Sequence, residues 1–128
     1  MRYYVGRGKE KFELVGYSDS DMAGDVDDRK STSRMIYFLS GGTIYWQSTK
    51  QKVVALSSFE VEYIAASTAA TQGVWLERLM EELIEKEGDP PMLYVDNKAT
   101  ISLIKNSVLH NRSKHIEIRF HYIRECAD

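Results

Sequence analysis

The spacing of apolar residues changes at Ser57, and a chain that switches period once must combine a sheet with a long helix. Before that point the pattern is short and β-like. Phe12 to Ser18 is an apolar-leaning run that enters the acidic, glycine-containing stretch DSDMAGDVDDRKSTS, which predicts a strand and then a loop. Met35 to Leu39 and Thr43 to Gln47 are β-prone and are separated by Ser40-Gly41-Gly42, so they predict a hairpin. Val53 to Leu56 extends its second arm or forms a further strand. From Phe59 to Glu87 apolar residues recur at helical spacing, through Val61, Ala65, Trp75, Leu76, Leu79 and Leu83. Ser57 followed by Glu60 is a capping-box signature for the helix start. Gly73 inside this run marks a bend or a close approach, and Gly88-Asp89-Pro90-Pro91 is the expected stop.

Beyond it, Met92 to Val95 is a short, almost wholly apolar strand, the composition of a sheet covered on both faces. Asp96-Asn97 leads into a helical stretch from Ala99 to Lys105, and a last amphipathic helix is expected from Arg112 to Glu125. Early antiparallel strands, then a helical crossover, give a mixed α/β sheet with helices packed on it. Residues 1–128 read as a single domain without repeat, linker or low-complexity tract. A chain of 128 residues buries roughly two-thirds of its unfolded surface, enough for one core.

Composition excludes several classes. Hydrophobic residues at 43% and charged residues at 28% are ordinary for a globular chain, not a disordered one. No run of 18 apolar residues is present, so no membrane partner is expected, and the first residues lack a signal-peptide core. The lone Cys126 excludes an internal disulfide and fits a reducing compartment. The net charge of −2 hides an asymmetry. Residues 1–97 sum to −5, whereas residues 98–128 sum to +3 and hold all three histidines. An acidic body with a basic tail suits metal on one part and phosphate on the other, though an uneven solvated surface explains it equally.

Three acids occupy element boundaries: Asp19 at the end of the first strand, Glu62 in the first turns of the long helix, and Asp96 at the end of the later strand. If the two strands are neighbours, the aspartates meet at one sheet end and Glu62 points at them from the covering helix. Three such carboxylates repel unless a hard cation neutralises them. Magnesium, with manganese as substitute, takes oxygen ligands and suits a phosphodiester substrate, and two ions serve both the attacking and leaving oxygens. Spacing alone is weak support, because a strand-terminal Asp is more often a turn former or helix cap.

The motifs GYSDSDMAGD, RKSTS, TKQKVVALSSFEVEYIAAS, YVDNKATISLIKN and NRSKHIEIRFHYIRE occur in this order over residues 10–125. Together they resemble the ribonuclease H domain of copia-type LTR retrotransposon polyproteins. The resemblance implies a five-stranded mixed sheet, its first three strands antiparallel, and magnesium-dependent hydrolysis of the RNA strand in RNA–DNA hybrids during reverse transcription. It also implies a neighbouring reverse transcriptase domain as partner and an intracellular, cytoplasmic setting in a virus-like particle. Asp19, Glu62 and Asp96 match the family's catalytic, metal-holding acids. Glu60 is then a capping residue, and Asp25, Asp27 and Asp28 a solvated loop.

The chain departs from the family at Met22, usually tryptophan, at Arg34, usually glycine, and at Phe59, usually small or polar. It also stops at Cys126-Ala127-Asp128, where the family continues into a fifth strand and a fourth acid. The expectation is therefore a sheet lacking its fifth strand, an open fourth-strand edge that promotes self-association, and Asp128 as a candidate fourth metal ligand. Polar substrate contacts are assigned to Ser20, Ser58 and Asn97, with Ser57 preoccupied as a cap. Phosphate contacts fall to Lys50, Lys52, Arg112 and Lys114. His115 and His121, six apart, have no helical metal spacing and carry no zinc assignment. Beside active catalysis stands a second reading: a hybrid-binding or structural remnant, inactive for want of the fourth acid.

Overall fold

The computed structural model of the chain describes residues 11–22, 29–39, 42–52, 54–55, 57–106 and 118–123. Strand β1 (Leu14–Asp21) is followed by β2 (Thr32–Leu39) and β3 (Gly42–Lys50), then helix α1 (Ser58–Ile84), strand β4 (Met92–Val95), helix α2 (Lys98–Lys105) and strand β5 (Arg119–Tyr122). They form one sheet in the order β3-β2-β1-β4-β5. The pairs β1–β2 and β2–β3 are antiparallel, and β1–β4 and β4–β5 are parallel. The mixed sheet expected from the change of period is present.

Alternation along β1 and β2 sends Leu14, Gly16, Ser33, Met35 and Tyr37 toward α1, where they are buried. The helix answers with a stripe of small residues, Ala65, Ala66, Ala69, Ala70 and Gly73, all buried. Small side chains let the helix lie close to the sheet, and Tyr37 fills the space between them. Its hydroxyl donates to the carbonyl of Ala69 at 2.7 Å. A methyl group on Gly16 or Gly73 would overlap the Tyr37 ring or hydroxyl. Gly73 thus marks close packing, and α1 runs through it unbroken. Leu93, Val95 and Ile104 complete the core from β4 and α2.

The opposite face is different. Val15, Tyr17, Ile36 and Phe38 line an open apolar hollow there. The Tyr17 and Tyr94 rings stack at 4.9 Å, and His121 meets Tyr94 edge-on at 5.0 Å. Among the described residues no helix covers this face, so β4 is buried on one side only, against the expectation from its composition.

Three boundaries also differ. The sheet has a fifth strand where a terminal helix from Arg112 to Glu125 was expected, although residues 112–117 and 124–125 lie outside the described residues. Ile118, Phe120 and Tyr122 alternate with Arg119 and His121, a period-2 pattern, and Ile118 and Phe120 pack on the core. Arg119 fixes the register, donating to the Pro90 carbonyl from Nε at 3.1 Å and pairing with Glu13. Since β5 pairs with β4, the fourth-strand edge is not open, and the reason given for self-association falls away.

Helix α1 ends at Ile84, before the glycine-proline stop, because Glu85 turns left-handed (φ 61°) with its N–H bonded to Glu81. Strand β3 ends at Lys50. Val54 and Ala55 are outside any strand, and Val53 and Leu56 are outside the described residues. At the other end of α1 the capping prediction holds, with Ser57 Oγ accepting from the Glu60 N–H at 3.2 Å.

Candidate active site

The parallel pairing of β1 and β4 sets Val15 beside Met92, Gly16 beside Leu93 and Tyr17 beside Tyr94. Asp19 and Asp96 each lie two residues past that last pair, at one end of the sheet. Glu62 arrives from the first turns of α1, which packs on β1. Asp19, Glu62 and Asp96 line a single cleft, together with Ser18, Ser20, Ala65 and Val95. Among the described residues that line it there is no lysine or arginine.

Two of the acids already have partners. Asn97 donates from Nδ2 to Glu62 Oε1 at 2.6 Å, while its Oδ1 accepts from the backbone of Ala99 and Thr100 and so caps α2. Asp19 is the register partner of Arg34, and the alternation along β1 and β2 puts both on the face away from α1. Arg34 Nε lies 3.7 Å from Asp19 Oδ2, and its Nη2 lies 3.8 Å from Asp21 Oδ2. Among the described residues, no three His, Cys, Asp or Glu side chains are gathered tightly enough to hold a metal ion. The donor set fits a divalent hard cation, being three carboxylates on one cleft without an intruding base. Asn97 occupies one Glu62 oxygen and leaves the other open, whereas Asp19 shares its charge with Arg34.

Of the residues assigned to substrate, Ser20 lies in the cleft and Asn97 is bonded to one of its acids. Ser58 is exposed at the first residue of α1 and does not line the cleft. Lys50 and Lys52 line a separate groove with Ser33, Thr49, Gln51, Ile64 and Thr68. Ser20 and Ser33 are register partners on β1 and β2, so the two depressions flank neighbouring strands. Arg112, Lys114, Asp128 and the loop acids Asp25, Asp27 and Asp28 lie outside the described residues. Sequence reasoning missed the Arg34 bridge and the buried Gln51, whose Nε2 donates to Ser33 Oγ at 2.8 Å and the Val61 carbonyl at 3.1 Å. The first was detectable only once the β1–β2 register was known; nothing in the sequence marks the second.

The chain is 48% identical over 115 residues to the "Retrovirus-related Pol polyprotein from transposon TNT 1-94" of Nicotiana tabacum, covering 90% of this chain and 9% of that protein. It is 41% identical over 111 residues to the "Retrovirus-related Pol polyprotein from transposon RE2" of Arabidopsis thaliana, covering 87% of this chain and 8% of that one. The chain is homologous to a segment of these transposon Pol polyproteins. It spans about a tenth or less of their length. Among solved structures its fold is similar to that of LC11-RNase H1 from compost, with a TM-score of 0.59 at 12% identity, covering 88% of this chain and 84% of that one. The same enzyme solved with an RNA/DNA hybrid gives a TM-score of 0.57. The fold of the chain is therefore that of ribonuclease H. No family model matches the chain.

Proposed function

We propose that this Pol segment is a ribonuclease H-type nuclease that hydrolyses the RNA strand of RNA–DNA hybrids, within a copia-type retrotransposon polyprotein and beside its reverse transcriptase. One observation carries the reading: Asp19, Glu62 and Asp96, from β1, α1 and β4, line one cleft at the sheet end of a ribonuclease H fold. Asp19, Glu62 and Asp96 would hold magnesium, or manganese in its place, with two ions expected. When bound, such ions supply the Lewis acidity that phosphodiester hydrolysis requires.

The chain's own residues do the rest. Asn97 fixes one Glu62 oxygen and anchors α2, which holds the wall of the cleft in place. Ser20 presents a hydroxyl in the cleft, suited to a ribose 2′-hydroxyl, the group that separates RNA from DNA. Lys50 and Lys52, along the adjacent groove, suit the phosphates of a strand that continues past the cut. A second reading, an inactive hybrid-binding remnant, draws on the partners that Asp19 and Glu62 already hold. No described helix is long and apolar enough to cross a membrane, and the reading requires none.

Cleavage of a labelled RNA–DNA hybrid with magnesium or manganese tests the proposal. RNA-strand cleavage by the chain, lost in Asp96→Asn, is the expected result. Hybrid binding without cleavage under either ion selects the remnant reading instead.

A further inference from the structure

We infer that Arg34 is an internal counter-cation that holds Asp19 out of the carboxylate cleft and competes with a divalent ion for it. The inference rests on the active-site reading above and concerns a residue that lines no part of the cleft.

The geometry begins with the hairpin register. Asp19 faces Arg34 and, two residues on, Asp21 faces Thr32, so Arg34 stands opposite one acid and diagonal to the other. Directly opposed and diagonal side chains on one face of an antiparallel pair are within reach of each other. Arg34 uses both relationships, with Nε toward Asp19 at 3.7 Å and Nη2 toward Asp21 at 3.8 Å. The side chains leave on the face away from α1, whereas Glu62 comes from α1. Strand alternation sets this face, and the ion pair with Arg34 holds the Asp19 carboxylate on it.

This accounts for an otherwise odd combination. Three carboxylates line one cleft, yet no three described acids are gathered to hold an ion. A fixed guanidinium beside Asp19 offsets part of the repulsion that a divalent cation would otherwise relieve. The pair distances are long and the side chains well exposed, 43% for Arg34 and 66% for Asp19, so the tether is weak enough for a cation to displace. Arg34 sets the metal concentration at which the cleft closes. It is a positioning residue, acting through Asp19.

The test is calorimetric titration of magnesium into the metal-free chain, independent of cleavage. Arg34→Gln and Arg34→Met remove the charge and keep much of the length, and each is expected to bind magnesium roughly threefold tighter, the scale of an exposed ion pair. Arg34→Lys keeps the charge and is expected to stay near wild type. In the unmutated chain, the Arg34 Nε–H resonance is expected to shift as magnesium saturates, which keeps the idea testable should a variant fail to fold. Equal affinity in wild type, Gln and Met variants, or an Arg34 resonance indifferent to bound magnesium, overturns the role of Arg34 and leaves the cleft reading standing. No magnesium binding by any of these chains up to tens of millimolar overturns the metal-site reading, and this inference with it.

Discussion

Asn97 serves Glu62 and helix α2 at once: its Nδ2 donates to Glu62 Oε1 at 2.6 Å, and its Oδ1 accepts from Ala99 N–H at 2.8 Å and Thr100 N–H at 3.2 Å. The two ends of one amide thereby join the first turns of α1 to the start of α2 across the candidate cleft. The amide has both a donor for the acid and an acceptor for the helix, whereas an ionised aspartate in its place has acceptors alone.

Replacing Asn97 separates the two functions. Asn97→Ala removes the cap and is expected to cost about 1 kcal/mol of stability. Asn97→Asp keeps the acceptor but sets a second negative charge against Glu62. It should melt below wild type in chelator and regain most of the difference when magnesium is added. Thermal melts of the three chains with and without magnesium check this. An aspartate variant as stable as wild type in chelator would show that the Glu62 contact does not form in solution.

The three acids are expected to be individually necessary. Asp19→Asn, Glu62→Gln and Asp96→Asn keep side-chain shape and lose the charge that would hold a cation. Each should abolish hybrid cleavage, with hybrid affinity changed by no more than several-fold at fixed salt. Single-turnover cleavage and a filter-binding curve at matched ionic strength give both readouts. Undiminished cleavage by any one variant removes that residue from the catalytic set.

Divalent metal is expected to raise the melting temperature. A ligand that binds only the native state stabilises it by mass action, and the gain grows with its concentration above the dissociation constant. The rise should be larger for wild type than for Asp19→Asn, Glu62→Gln or Asp96→Asn. Melting curves unchanged by tens of millimolar magnesium and manganese would count against a metal-binding cluster.

What could be read in advance followed from how local each signal is. The hairpin, the helix from Ser57 onward and the strand before Asp96 rest on runs of neighbouring residues, and all three are present. Strand β5 has only four residues. Over so short a length, helical and strand periods compete, and pairing with β4 together with the Arg119 contacts to Pro90 and Glu13 decides for strand. The left-handed stop at Glu85 uses no glycine, so no residue type announced it. At the site, Asp96 follows β4 and Glu62 lies in the first turns of α1 as expected, whereas β1 runs on to Asp21 past Asp19, which was expected to close it, and the partners of Asp19 depend on strand register. Arg34 lies 15 residues from Asp19 in sequence and became visible only through pairing. Lys50 and Lys52 are near the cleft in sequence logic, yet the end of β3 turns them to the neighbouring groove.

Tyr37 is the side chain about which the sheet and α1 are packed. It is fully buried, its hydroxyl donates to the Ala69 carbonyl at 2.7 Å, and Gly16 and Gly73 leave room for its ring. Burial alone pushes the hydroxyl well above the ordinary tyrosine value of 10.0. The sign of the consequence is fixed by proton counting. In the unfolded chain Tyr37 loses its proton near 10.0, while the native state keeps it to higher pH. Above that ordinary value the native state binds more protons than the unfolded state, so stability falls as pH rises, and the contribution is whole below it. Tyr37→Phe lacks this titration. At neutral pH the variant should be less stable by about 1 kcal/mol, the net worth of one buried hydrogen bond, while the Ala69 carbonyl keeps its helical partner. As pH climbs past the ordinary tyrosine value, the gap between wild type and variant should narrow and then reverse, since only wild type loses stability through this group. Gly73→Ala tests the same packing from the helix side. The added methyl meets the Tyr37 hydroxyl, and overpacking of this kind costs about 1–3 kcal/mol. In Tyr37→Phe that cost should shrink, because the atom it strikes first is gone. Urea melts of the two single variants and the double variant, at neutral and at alkaline pH, measure every term. Additive losses for Gly73→Ala and Tyr37→Phe would show that the hydroxyl is not what Gly73 makes room for.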